Sequence, residues 1–306
     1  MITLENLGKD FGSVRAVDSL SVTVAPGKVT GFLGPNGAGK TTTMRMLLGL
    51  DSPSSGRALV NGVRYAQLAA PLRTVGALLE PRTGHRGQRA DSHLRGLARS
   101  NRIPVARVDA VLQEVGLGEA GRRRIGTYSL GMRQRLGIAA ALLGEPEVLV
   151  FDEPVNGLDA DGVAWIRDLM RAKARAGATV FVSSHLMSEM QSTADHLVVI
   201  GRGKLLADQS MDAVLAASAQ TAVVVSSPQA GVLAAGLERA GYLVAVAGPD
   251  SLRVTGATTQ EVGGVAHSLG VRINELGLRR ASLEQAYTEL TAQSLDYVPT
   301  RIGEEP

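Results

Sequence analysis

Gly34, Pro35, Asn36, Gly37, Ala38, Gly39, Lys40, Thr41 and Thr42 form one unbroken run, GPNGAGKTT. It stands behind the apolar stretch Val29 to Leu33 and opens the amphipathic segment Thr43 to Leu50. A strand, a glycine loop and a helix in that order form a cradle for a phosphate chain. Many N–H donors must converge from one side, and a glycine-rich backbone can wrap an oxyanion that closely. The helix points its positive end inward. Lys40 can reach the outer phosphates as a mobile point charge, and the Thr41 hydroxyl can ligate a bridging Mg²⁺. These nine residues predict a bound nucleoside triphosphate with Mg²⁺ and do not by themselves predict a function.

A second group of candidates lies far along the chain. Val148 to Phe151 is a continuous apolar run that ends in Asp152 and Glu153. That is the pattern of a buried parallel strand delivering acids at its carboxyl end. Asp152 can hold the metal through water, which leaves Glu153 to polarise an attacking water as general base. Capping of a helix, suggested by Pro154 and Asn156, would account for one acid. It does not account for two after four buried positions.

Between these halves runs Tyr128 to Arg135, YSLGMRQR, leading into the Ala-rich stretch Leu136 to Leu143. Here the chain resembles the ATP-binding subunits of ABC transporters, of the drug- and antibiotic-exporting ABC-2 type, whose signature LSGGQ precedes RQR or QQR. Ser129 and Gly131 match the signature, whereas Tyr128, Leu130 and Met132 depart from it. The resemblance implies that Ser129 and Gly131 close over the phosphates held by a second subunit, giving a head-to-tail dimer around two ATP molecules. It further implies that Asp159, in the run Asn156 to Asp159, lies in the loop crossing the dimer seam. His185 matches the switch histidine that contacts the γ-phosphate in catalysis. Phe11 stands where the family stacks an aromatic ring on adenine. Glu80 occupies a position where most relatives carry glutamine, and it keeps an oxygen for the metal while adding a negative charge.

The elements that must position these residues follow from patterning. Ile2 to Leu4, Leu20 to Val24 and Leu59 to Asn61 read as short strands. Ser92 to Ser100 and Val108 to Val115 read as helices separated by Pro104. A helix at Ala160 to Ala176, strands at Val180 to Ser183 and Leu197 to Ile200, and a turn at Gly201 to Lys204 close the core. Trp165, the only tryptophan, reads as a packing residue inside its helix. Beyond Met211, the predicted order is Ala222 to Ser226 (strand), Gln229 to Ala240 (helix), and Leu243 to Val246 and Leu252 to Val254 (strands). Thr259 to Ser268 (helix) and Val271 to Leu276 (extended) complete a β-α-β-β-α-β, ferredoxin-like arrangement. Ser282 to Leu290 reads as an amphipathic helix, resembling the terminal helix of drug-export ATPases, and Tyr297 to Pro306 as a frayed end. The expectation is an α/β chain with a P-loop NTPase core of ABC type over residues 1–210, its helical subdomain near 80–142, and a small α+β domain over 211–306.

Composition narrows the setting. The chain has 306 residues and no cysteine, so disulfides contribute nothing and a reducing compartment suits it. Met1 to Leu7 carries Glu5 and reads as a strand rather than a leader. Apolar runs fall short of the ~20 residues of a membrane helix, so any transport path belongs to other chains. A net charge of +3 with 3% aromatic residues disfavours nucleic acid. Arg122 to Arg124 reads as a solvated face.

The resemblance thus implies an ATPase subunit that energises export of a hydrophobic or antibiotic-like molecule. Its expected partners are a separate transmembrane permease and a second ATP-binding subunit, as a homodimer, held peripherally at the cytoplasmic face of the membrane. Two other classes, a soluble non-transport ABC ATPase and a regulatory ATP-binding module, fit less well. The chain shows one cassette without sustained heptads, and it keeps both Glu153 and His185.

Overall fold

The computed structural model describes residues 1–79, 84–218 and 220–292. Glu80 and the tail from Tyr297 to Pro306 lie outside them. The described chain divides into two compact units, Met1–Gln209 and Ser210–Ala292.

The first unit contains strands β1 (Ile2–Phe11), β2 (Val14–Val24), β3 (Val29–Leu33), β4 (Ser55–Val60), β5 (Val75–Leu78), β6 (Val148–Asp152), β7 (Thr179–Ser183), β8 (His196–Gly201) and β9 (Lys204–Ser210). Its helices are α1 (Lys40–Leu47), α2 (Pro71–Thr74), α3 (Ala90–Ser100), α4 (Ala106–Glu114), α5 (Leu130–Leu142), α6 (Ala160–Arg175) and α7 (Met187–Thr193). A three-stranded antiparallel sheet runs β2-β1-β4, and a six-stranded sheet runs β5-β6-β7-β3-β8-β9. Pairing is parallel from β5 through β8. All five residues of β3 and of β7 are buried. This explains why neither alternates apolar with charged residues, because a parallel strand covered on both faces has no solvent side to alternate toward. Phe32 and Phe181 pack ring to ring at 4.9 Å within the core that joins the two sheets.

Parallel pairing has a functional result. Strands β6, β7 and β3 are neighbours, so the loops after Asp152, Ser183 and Leu33 leave the sheet on the same side. Residues more than a hundred positions apart in sequence are thereby delivered to one place.

The second unit contains α8 (Met211–Ala217), β10 (Ala222–Ser226), α9 (Ala230–Arg239), β11 (Leu243–Gly248), β12 (Ser251–Thr255), α10 (Thr259–Ser268), β13 (Glu275–Arg279) and α11 (Leu283–Thr291). Its antiparallel sheet has the order β11-β12-β10-β13. That is the ferredoxin-like interleaving of two β-α-β halves. Val223, Val225, Leu252 and Val254 join Leu233, Leu237 and Val262 in a separate core. Capping boxes fix the starts of α10 (Thr258 with Glu261) and α11 (Ser282 with Gln285).

Several boundaries differ from the patterned expectation. The helix after the glycine loop begins at Lys40 and ends at Leu47, rather than running from Thr43 to Leu50. Gly49 beyond it takes φ +67°, a left-handed stop. The last strand of the second unit is Glu275–Arg279, not Val271 to Leu276. Val271 spends its N–H on Ala266 at the end of α10, and the ladder starts only after Asn274. Trp165 is only half-buried and lies under the Arg135 guanidinium at 4.6 Å, so it joins α6 to α5 through a cation–π contact as well as by packing.

Candidate active site

The glycine loop closes on itself before it meets anything else. Gly39 caps α1 at φ +103°, and a Cβ there would stand 2.5 Å from the Ala16 carbonyl oxygen. Only glycine satisfies both the backbone angle and the close approach of the β2 strand. Lys40 turns back along the loop and donates to the Gly34 oxygen at 2.6 Å and the Pro35 oxygen at 3.2 Å. Partial burial lowers its pKa, while the charges of Glu153 and Asp152 oppose that shift. The ammonium is therefore partly desolvated and faces carboxylates, a setting that strengthens its attraction for an incoming polyanion.

Asp152 ends β6 and is bound from both flanking elements. The Thr41 hydroxyl donates to its Oδ2 at 2.7 Å, and the Ser183 hydroxyl donates to its Oδ1. The Thr41 oxygen and the Asp152 carboxylate thus lie side by side. A hydroxyl and a carboxylate at this spacing are hard oxygen donors of the kind Mg²⁺ takes, together with water and phosphate oxygens. The donor set fits the ion, with Thr41 as ligand and Asp152 beside it.

Glu153 has φ +52°, a left-handed conformation unusual for a residue with a side chain. Its surroundings hold it there. Its N–H lies 3.0 Å from the Ser183 hydroxyl oxygen and 3.2 Å from the Ser183 carbonyl. Gln134, 2% exposed on α5, donates from Nε2 to the Pro154 carbonyl at 2.8 Å and, at 3.4 Å, to that of Glu153. The Gln134 Oε1 is buried without a partner. Strain of this kind, braced from several sides, concentrates where a side chain must be aimed. The carboxylate reaches His185, with Oε2 2.6 Å from Nδ1 and 3.2 Å from the backbone nitrogen. An ionised carboxylate only accepts, so Nδ1 carries the proton.

Asn36, Gly37, Ala38, Gly39, Lys40, Thr41 and Thr42 line one cleft with Asp152, Glu153 and Ala16. Gly34 and Pro35 contribute carbonyls behind it. Phe11 is not among the lining residues. It stands 52% exposed at the end of β1, on the hairpin that also supplies Ala16, with the Lys9 ammonium 5.0 Å from its ring. Ser129, Gly131 and Asp159 do not line the cleft either. Ser129 caps α5 by accepting from Met132 N–H at 3.2 Å, and Asp159 caps α6 by accepting from Gly162 N–H at 2.9 Å. A Cβ at Gly131 would lie 2.8 Å from the Gly157 carbonyl, so the starts of α5 and α6 touch through glycine. Buried Tyr128, a departure from the signature, anchors this turn by donating its hydroxyl to the Ala120 carbonyl at 2.8 Å.

Sequence reasoning missed Ser183 and Gln134 as members of the site. A serine ending an otherwise apolar strand, and a glutamine on the inward face of an Ala-rich helix, were the available signals.

The chain is similar to known proteins of one family. The sequence profile described as ABC transporter matches residues 17–156. The bacitracin transport ATP-binding protein BcrA of Bacillus licheniformis is 40% identical over 220 residues, covering 69% of this chain and 70% of that protein. The daunorubicin resistance ATP-binding protein DrrA3 of Streptomyces coeruleorubidus is 34% identical over 310 residues, covering 95% of both. The chain belongs to the ABC transporter ATP-binding family. A solved ATP-binding subunit of an ABC transporter superposes on this ABC subunit with TM-score 0.65 and 25% identity, over 70% of this chain and 91% of that one. A dimeric cassette in a post-hydrolysis state with ADP and Pi shares the fold at TM-score 0.62 and 20% identity, covering 69% of this chain and 99% of that one. A second profile, described as a domain of unknown function, matches residues 221–284 of the ABC subunit. No helix among its described residues is long and apolar enough to cross a membrane.

Proposed function

We propose that this ABC subunit hydrolyses ATP with Mg²⁺ in the cleft between the glycine loop and the end of β6, and that it does so to drive efflux through a separate permease. The observation that carries the reading is the junction of Thr41, Asp152, Glu153 and His185 through direct bonds at the ends of β3, β6 and β7. The loop N–H groups and Lys40 grip the phosphates. Thr41 and Asp152 would hold Mg²⁺, which would supply neutralisation of the phosphate charge. Glu153, aimed by its braced backbone, accepts the proton of the attacking water. His185 fixes the carboxylate and leaves Nε2 to face the terminal phosphate.

Two copies complete the reaction unit. Ser129 accepts at its cap through one lone pair, so its O–H proton remains available to a phosphate carried by the partner copy. Closure of the pair on ATP and opening after hydrolysis would move the permease between access states. The named relatives act in bacitracin transport and daunorubicin resistance, which supports a hydrophobic, antibiotic-like cargo and a peripheral station on the cytoplasmic face.

Glu153→Gln tests the assignment. The variant is expected to bind ATP with unchanged affinity, to lose turnover by at least about a hundredfold, and to elute as a dimer when ATP is present. Turnover at the parent rate would remove Glu153 from the base role.

A further inference from the structure

The second unit carries five arginines and seven carboxylates over residues 210–292 and no lysine, so its net charge is −2. Three of those five arginines, Arg253, Arg279 and Arg280, nevertheless line a single cleft beside the start of α11. Like charges gather against the balance of their own domain only at a cost in mutual repulsion. A bound anion removes that cost.

The sheet explains how they converge. Arg279 pairs with Ala222, and Arg253 pairs with Val224, on the two strands flanking β10. Positions 222 and 224 share the face opposite Val223 and Val225, which are fully buried in the core. Both guanidinium stems therefore rise from the same face, about 12 Å apart, two strand spacings across and two residues along. That is a span two arginines can close upon one oxyanion group. Arg253 is oriented by donating to Gln220 Oε1 at 3.0 Å, a neutral partner that leaves its charge uncompensated. Arg280 meets Asp212 only at 3.4 Å, with both side chains largely exposed, a pairing of little worth in water. Ser282 and Gln285 add polar groups at the capped start of α11. The cleft holds roughly 560 Å³, within the range of small-ligand sites.

We infer that this cleft is a binding site for a ligand bearing a phosphate or a similarly compact oxyanion group, clamped by Arg253 and Arg279. The site is separate from the ATP cleft, and the inference does not depend on the export reading. The shared chemistry is the phosphoryl group, whether on a free phosphorylated molecule or on an anionic lipid headgroup. Arginine suits either, because its planar fork meets two phosphate oxygens at once.

Two probes separate the sources. The full-length Lys40→Ala protein, in which the glycine loop competes least, is titrated calorimetrically with inorganic pyrophosphate and sedimented with vesicles of phosphatidylglycerol or phosphatidylcholine. One of the anionic probes is expected to bind, and Arg253→Gln with Arg279→Gln is expected to weaken it at least about tenfold. Pyrophosphate binding lost in that double variant identifies a free phosphoryl ligand. Sedimentation with phosphatidylglycerol alone, lost in the same variant, identifies the headgroup. Glu284 is the only acid lining the cleft among the described residues, so Glu284→Gln should tighten binding severalfold. Circular dichroism establishes that each variant folds, and if the double variant does not, the Glu284→Gln result decides alone. Failure of both anionic probes, equal binding by the arginine variant, or unchanged affinity in Glu284→Gln would overturn the site.

Discussion

The glycine-loop end and the signature end of the ATP-binding unit are built in opposite ways. At the first, functional side chains bond to one another: Thr41 and Ser183 to Asp152, and His185 to Glu153. At the second, Ser129 and Asp159 bond to the backbone of the helices they begin. The first is a cluster of side chains bonded within one chain, the reaction centre of the function proposed above. The second is a pair of capped helix ends that, on the function proposed above, would meet the nucleotide of a partner copy. Proteins pre-organise what must act on an electron pair, and they leave presentable what must be met by another body.

Substitutions can break this contrast, and the largest effect belongs to the assembled end. Lys40→Ala removes the charge that faces the phosphates, and saturable binding of a fluorescent ATP analogue is expected to disappear. Retained affinity would show that loop amides alone hold the nucleotide. Ser129→Ala should act only when two copies meet. In the Glu153→Gln background it is expected to weaken ATP-dependent dimer formation about tenfold in light scattering, while each monomer binds ATP normally. A loss of monomer binding would place Ser129 at its own chain's site and erase the distinction. Asp159→Ala should cost about 1 kcal/mol in denaturant unfolding through the lost cap of α6. Any fall in turnover beyond that of an unfolded fraction would add a function to the cap.

Much of the assembled end was legible because its constraints are local. A strand, a glycine loop and a helix N-terminus occupy adjacent residues, and the apolar run before Asp152 declares a buried parallel strand. What could not be read is the lateral order β6-β7-β3, which depends on contacts distant in sequence. Ser183 and Gln134 were missed for that reason, since each acts only across strands or helices. The left-handed backbone of Glu153 was equally hidden, because it is held by bonds to Ser183 and Gln134 rather than favoured by residue type. In the second unit, alternation gave the order of elements. The last strand lay further along than its apolar residues suggested, because Val271 packs from a loop and spends its amide on α10.

Gln134 also sets a mechanical condition. A single buried amide holds two consecutive carbonyls, those of Glu153 and Pro154, and it belongs to the same helix that is capped by Ser129. An axial slip of that helix by one residue, about 1.5 Å, would stretch the 2.8 Å bond and carry the 3.4 Å contact out of hydrogen-bond reach. On the function proposed above, the helix end offered to a partner copy and the acid beside the attacking water would therefore be linked through one side chain, and a shift of α5 would be expected to re-aim Glu153.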